Sequence, residues 1–374
     1  MKILILSCAT GGGHNAAGAA IQEYLKKNGH DACMMDLFSL SSARTANTVG
    51  QCYVKMARGL PHVFGFLYRI GGYISSARRK SPVYFANGLM AKKLKAYLAE
   101  NHYDAIVMPH LFPAETITYM KRHHMEVPLS VVITTDYTCI PFWEETECDY
   151  YILPHADLTD EYVKRGLPEE KLLPLGIPVK GAFFTKPDKA AAKRRLHLPE
   201  DKPMYLIMSG SMGFGKIHLF AYELYRNLKN GEQVVIICGN NKKLKRTLKK
   251  QFFRSRGMHI IGYTSHVADF MAACDVIYTK PGGLTSTEAL NMNIPIVHTA
   301  PIPGCENKNR DFFVSRGMSI AAAHVRTQIT QGRLLVENTA VRDGMLAAQR
   351  LHALPRAAEG ICKLLEEKTA EERL

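Results

Sequence analysis

Short apolar runs alternate with longer stretches of mixed polarity along almost the whole chain. Residues 2–7 (Lys-Ile-Leu-Ile-Leu-Ser) read as a buried strand running into a glycine turn. A helix is predicted over residues 14–27, closed by Asn28-Gly29 as a C-terminal stop. Further strands are predicted at 31–37, 104–109, 129–134, 149–153 and 172–177, with helical stretches between most of them. This βαβ repetition implies a parallel sheet covered on both faces. The rhythm breaks at Gly176-Ile177-Pro178 and at Phe183-Phe184-Thr185-Lys186-Pro187, which puts a domain boundary near residue 180. A second series follows, with strands at 204–209, 233–238, 258–262, 275–279 and 295–298, and then a helical stretch over 326–367. The expected organisation is an N-terminal domain over 1–180, a second over 181–350 and a C-terminal helix within 351–374. Two α/β domains in tandem place a cleft between the carboxyl edges of their sheets, where ligands bind in such folds.

Composition narrows the class. The chain has 374 residues, enough for two cores, and its 47% hydrophobic and 22% charged content is that of a folded soluble protein. No apolar run approaches the roughly 18–20 residues of a membrane span. The first apolar run is too short for a signal sequence, so a cytoplasmic protein is expected. The nine cysteines include no C-x-x-C pair, which argues against a zinc site or a disulfide scaffold.

The formal net charge of +14 points to anionic partners. Much of it sits in one place. No acidic residue occurs between Asp36 and Glu100, while Arg69, Arg78, Arg79 and Lys80 lie among Phe64, Phe66, Tyr68 and Tyr73. Basic side chains beside aromatic ones fit an anionic membrane surface, where each Lys or Arg contributes roughly 1 kcal/mol. The plain alternative is a basic helix pair with its aromatics in the core. Nucleic acid is not expected, because no helix-turn-helix or zinc-finger pattern is present.

Four motifs carry candidate chemistry. Gly11-Gly12-Gly13-His14 follows the first strand; its glycines permit a tight turn and its imidazole is suited to taking a proton. The same residues match Gly11-x-Gly13-x-x-Ala16, a dinucleotide fingerprint, with Asp36 at ribose distance. The structural alternative is that His14 only caps the turn. Ser209-Gly210-Ser211-Met212-Gly213 occupies the matching turn of the second domain and can offer N–H and hydroxyl groups to a phosphate, or be a plain βα turn. It lacks the ending of a Walker A loop. Lys280-Pro281-Gly282-Gly283-Leu284-Thr285-Ser286-Thr287-Glu288 opens a later helix with donors suited to a diphosphate and a carboxylate suited to a ribose. Pro301 to Asn309 opens another helix, with Glu306 and Asn307 aimed at the same cleft.

In this order and spacing the four motifs resemble glycosyltransferase family 28, in the branch of the monogalactosyldiacylglycerol synthases and bacterial diacylglycerol glucosyltransferases. The resemblance runs from Gly11 to about Gly317. It implies a GT-B fold: two Rossmann-like domains facing across a cleft, a lipid acceptor on the first, a UDP-sugar on the second, and a C-terminal helix crossing back to the first. It implies that His14 is the general base, with Asp136 of the Thr135-Asp136 turn beside it. Glu288 maps to the ribose contact, and Gly282, Gly283, Leu284 and Thr285 to the diphosphate, assisted by Ser209, Ser211 and Gly213. Glu306, Asn307 and Asn309 map to the donor-sugar side, and Ile261 and Tyr263 to the uracil segment. Cys305 stands where the galactolipid branch has Gln, so UDP-glucose and UDP-galactose both remain candidate donors.

The resemblance further implies an inverting transfer of a hexose to a lipid acceptor, foremost diacylglycerol, by a protein peripheral on the inner face of the cell membrane. Asp-x-Asp, the usual metal–diphosphate anchor, occurs nowhere in the chain, so neither a metal nor another cofactor is expected. The competing functions are a UDP-sugar 2-epimerase of the same fold, a nicotinamide oxidoreductase, and a non-catalytic UDP-sugar sensor at the membrane.

Overall fold

Parallel strands buried on both faces must be apolar along their length, and the first strand, β1 (Lys2–Ser7), is buried from Ile3 to Ser7. The computed structural model describes residues 1–8, 12–42, 80–185, 188–208, 210, 217–229, 231–302 and 304–371. Among these, two compact units separate: Met1–Gly181 with the stretch from Leu354 onward, and Ala182–Ile302 with Glu306–Ala353.

In the first unit β1 is followed by α1 (Gly12–Lys27), β2 (Asp31–Asp36), α2 (Pro82–Gly88), α3 (Ala91–Asn101), β3 (Ala105–Met108) and α4 (Leu111–Arg122). Then come β4 (Leu129–Ile133), β5 (Tyr150–Ile152), α5 (Thr159–Lys164) and β6 (Leu172–Leu173). The sheet order is β2-β1-β3-β4-β5-β6, with parallel pairing throughout. α1 starts two residues earlier than predicted, because Gly12 and Gly13 join its first turn. It stops at the expected place: Gly29 takes φ +81°, His30 N–H bonds the Leu25 carbonyl at 3.0 Å and Gly29 N–H that of Lys26 at 3.1 Å. Gly18 lets α1 lie close on the sheet; a Cβ there would stand 3.0 Å from Met34 and 3.2 Å from Ile5. Asp36, which the dinucleotide reading needs at a ribose, instead accepts the N–H of Phe38 at 2.8 Å and caps a short 3₁₀ turn.

The second unit contains α6 (Lys189–Arg195), β7 (Met204–Met208), α7 (Ile217–Arg226), β8 (Gln233–Ile237), α8 (Lys242–Gln251), β9 (Met258–Ile261), α9 (Val267–Ala273) and β10 (Val276–Thr279). It continues through α10 (Gly283–Asn291), β11 (Ile296–His298), α11 (Cys305–Ser315), β12 (Ile320–Ala321), α12 (Val325–Glu337) and α13 (Thr339–His352). Its parallel sheet runs β12-β11-β10-β7-β8-β9 around a core of Tyr205, Ile207, Val234, Ile236, Val276 and Tyr278.

The predicted C-terminal helical stretch is divided. Asn338 ends α12 and caps α13 by accepting the N–H of Val341 at 3.1 Å. Pro355 separates α13 from α14 (Ala357–Glu371). α14 belongs to the first unit, where Ile361 and Leu365 join Ile3, Ile21 and Leu25 in the core. The predicted 172–177 strand shrinks to β6 because Gly176, at φ +96°, turns the chain against Leu354; a Cβ would stand 2.8 Å from the Leu354 Cβ. β12, two residues long, is too short to announce itself in the sequence. No described helix is long and apolar enough to cross a membrane.

Candidate functional site

Each sheet has one place where successive connections leave in opposite directions, and the crevice there is where open α/β sheets bind ligands. In the first unit it lies between β1 and β3, in the second between β7 and β10. Gly12 and Gly13 open α1 after β1, Gly210 follows β7, and Gly282 and Gly283 follow β10.

In the first unit the crevice is occupied by His14, in the first turn of α1. Its Nδ1 lies 2.8 Å from the carbonyl oxygen of Pro109, after β3, and 2.9 Å from the hydroxyl of Thr135, after β4. A proline carbonyl can only accept. Nδ1 therefore carries the hydrogen in the neutral ring, and Nε2 keeps its lone pair. Burial lowers the pKa of His14, while the charge of Asp136 and the bond to Pro109 act in the opposite direction. The ring of His110 meets that of His14 edge to face, with centroids 4.5 Å apart. Burial, and then the proximity of His14, hold His110 well below the ordinary histidine value. The His110 Nδ1 accepts the N–H of Phe112 at 3.1 Å and caps α4. At neutral pH the site therefore offers an uncharged imidazole with one free acceptor nitrogen. The positions of His14 and Asp136 were expected from sequence. The orienting contacts come from Pro109 and Thr135, with Asp136 acting through its charge. His110 was missed; the signal was a Pro-His pair directly after an apolar strand.

In the second unit Gly282 is the N-cap residue of α10 and no side chain caps the helix. The first N–H groups, from Gly283, Leu284 and Thr285, are thus left as donors toward an anion. Gly210, at φ +74°, follows β7; a Cβ there would lie 2.8 Å from Cε of Lys280. Lys280 is ion-paired with Glu306, whose other oxygen accepts the N–H of Ile302 at 2.7 Å. Asn309 is fully buried and donates to the Pro281 carbonyl at 3.0 Å. Glu306 and Asn309, expected beside the donor sugar, thus brace the loop that leads into α10. Asn307 is half-buried in α11, and Glu288 is buried one turn into α10. Ser286 shares its hydroxyl with the buried His298 at 3.0 Å, and Ser319 holds the other ring nitrogen at 3.0 Å. Ile261 ends β9 at the sheet edge, three strands from β10, and Tyr263 beyond it is 75% exposed. Ser209, Ser211 and Gly213 lie outside the described residues.

Of the expected membrane residues, Phe64, Phe66, Tyr68, Arg69, Tyr73, Arg78 and Arg79 lie outside the described residues. Lys80 is described, and it corrects the expectation. Its ammonium donates to the Glu145 carbonyl at 2.6 Å and to Glu147 at 3.1 Å, and its side chain is only 8% exposed. The Glu145 carboxylate in turn accepts the N–H and the hydroxyl of Ser81, each at 2.6 Å. Lys80 is an anchor of the fold rather than a lipid contact.

Comparison with known proteins agrees with this arrangement. Residues 14–179 match the family described as monogalactosyldiacylglycerol (MGDG) synthase, and residues 188–341 match glycosyl transferases group 1. A processive diacylglycerol beta-glucosyltransferase of Staphylococcus saprophyticus is 29% identical over 97% of this chain and 91% of its own. One from Bacillus cereus is 25% identical over 100% of this chain and 95% of its own. Among solved structures, MurG of Acinetobacter baumannii matches with a TM-score of 0.64 at 14% identity, covering 98% of this chain and 99% of that one. A UDP-GlcNAc 2-epimerase from Neisseria meningitidis also has a TM-score of 0.64 at 14% identity, over 98% and 100%. At such identities the structural likeness concerns the fold alone.

The fold is GT-B-like, and the matches along both halves of the chain define a glycosyltransferase. By these matches the chain resembles glycosyltransferase family 28, in the branch that holds the MGDG synthases and the processive diacylglycerol glucosyltransferases.

Proposed function

We propose that this chain moves a glucosyl group from UDP-glucose to the free hydroxyl of diacylglycerol, with inversion at C1, while docked on the inner face of the cell membrane. The observation that carries the reaction type is the tautomer of His14: the Pro109 carbonyl takes the Nδ1 hydrogen and leaves Nε2 to accept a proton. The acceptor hydroxyl gives its proton to Nε2 as its oxygen attacks C1. The bond from C1 to the β-phosphate oxygen breaks, and its electron pair leaves with UDP. Asp136 favours the imidazolium that forms. The uncapped N-terminus of α10 is suited to the charge developing on UDP. With these donors in place and no Asp-x-Asp in the chain, we propose that no metal takes part.

Glucose is preferred over galactose because the bacterial relatives that match along the chain are named as glucosyltransferases. The acid-free stretch between Asp36 and Glu100 supports a peripheral membrane contact. The test is mass spectrometry of lipids after incubation with diacylglycerol vesicles and a panel of UDP-sugars. Hexosylated diacylglycerol from UDP-glucose, unaffected by chelator, is expected. An epimerised sugar nucleotide without lipid product would point to the epimerase reaction, and activity lost in chelator and restored by manganese would refute the metal-free step.

A further inference from the structure

A second acid-free stretch lies in the other unit. No Asp or Glu occurs between Glu232 and Asp269, while Lys242, Lys243, Lys245, Arg246, Lys249, Lys250, Arg254 and Arg256 all fall there. Most of this charge is displayed by one helix. Lys242, Lys245, Arg246, Lys249, Lys250 and Phe253 line a single open surface of α8 and the turn after it. Their spacing of three and four residues explains why they share a face, about 16 Å long. The opposite face is the apolar one: Leu248 is fully buried, and Leu244 packs against the same core. Apart from the half-buried Lys245, the cations of this face are exposed, and among the described residues none of the six lysines and arginines of α8 is paired with a carboxylate. Phe252 is buried, but its neighbour Phe253 is 82% exposed at the end of this basic face.

An exposed aromatic ring beside a row of unpaired cations suits neither a folded core nor ordinary solvent exposure. It suits a bilayer surface. The ammonium and guanidinium groups meet anionic headgroups, and the ring enters the boundary below them. We propose that the α8 face is a membrane-docking surface of the second unit, specific for anionic phospholipid, with Phe253 as its apolar anchor. It is separate from the Asp36–Glu100 stretch of the first unit. It draws its purpose from the membrane work proposed above, but its test does not depend on sugar transfer.

The test uses the full chain. The only native tryptophan, Trp143, is 4% exposed and gives a constant background. A Phe253→Trp variant should shift its emission to the blue on vesicles containing phosphatidylglycerol, and brominated acyl chains should quench it. Phosphatidylcholine vesicles alone should have little effect, and salt should weaken the shift. In a second variant, Arg246→Glu, Lys249→Glu and Lys250→Glu are combined on the solvent face of α8. Its binding to the same vesicles should fall roughly a hundredfold, since three cations at about fivefold each are lost, while UDP binding stays unchanged. Emission that ignores anionic vesicles, vesicle binding undiminished in the triple variant, or displacement of the vesicles by equimolar duplex DNA would each overturn the proposal. If the lipid contact appears but no glycolipid is made, the proposed reaction fails and the docking surface stands.

Discussion

The Nδ1 atom of His14 stands 2.8 Å from the carbonyl oxygen of Pro109, a residue 95 positions further along the chain. That contact settles which nitrogen of the ring is free, and thereby which atom can receive a proton. Replacing His14 by Ala should lower kcat by roughly 10²–10⁴, the usual contribution of a positioned base. UDP binding, measured by calorimetry, should change less than about twofold, because the donors proposed for the diphosphate, at the N-terminus of α10, lie in the other unit. Equal losses in turnover and in UDP affinity would contradict the assignment.

The acid limb of the pH–rate profile carries a sign. Burial lowers the His14 pKa below its ordinary 6.5, so the free base persists under mildly acidic conditions. The acid limb of kcat/KM should therefore fall below 6.5. Asp136 acts in the raising direction, so Asp136→Asn should move the limb to still lower pH and also slow the reaction, since the imidazolium loses its counter-charge. A limb that moves upward in this variant would count against the electrostatic role.

Lys280 and Glu306 form an ion pair in which the carboxylate is almost fully buried. Lys280→Met leaves that carboxylate without its cation, which costs about 3 kcal/mol for a buried pair. Thermal unfolding should show the second unit melting earlier while the first is unchanged. Unaltered melting would mean that the pair is dispensable.

His298 is fully buried, and burial depresses its pKa from 6.5 to about 3. The unfolded chain binds a proton below 6.5 that the folded chain refuses until pH about 3. Stability due to this group is thus complete above 6.5 and falls as pH drops through the window between 6.5 and 3, by up to ~1.4 kcal/mol per pH unit. Denaturant titrations from pH 7 to 5 should show a shallower fall for His298→Gln than for the parent. Parallel curves would exclude it.

What the sequence made legible was local. Continuous apolar runs marked strands buried on both faces, and Asn28-Gly29 marked the end of α1 because the left-handed turn needs a glycine there. Gly282 and Gly283 were visible as a strand-to-helix turn from their place directly after an apolar strand, although Gly282 takes an ordinary extended φ of −77°. What stayed hidden depends on distant partners. Lys80 looked like part of a lipid-facing run because its acceptors, Glu145 and Glu147, lie more than sixty positions away. Asp36 matched a ribose position by counting alone, whereas its carboxylate satisfies the nearby N–H of Phe38. Glu306 and Asn309 carry chemistry suited to a sugar, but in the fold they hold Lys280 and Pro281. The split of the terminal helical stretch was signalled by Pro355, and helical periodicity on either side obscured it.

α14 packs in the core of the first unit, with Thr369 reaching the sulfur of Met1 at 3.0 Å. Everything from Ala182 to Ala353 that builds the second unit is synthesised before that helix exists. On the ribosome, the first unit therefore becomes complete only after the second has been made. Until α14 emerges, the apolar surface of Ile3, Ile21 and Leu25 that Ile361 and Leu365 cover stays open.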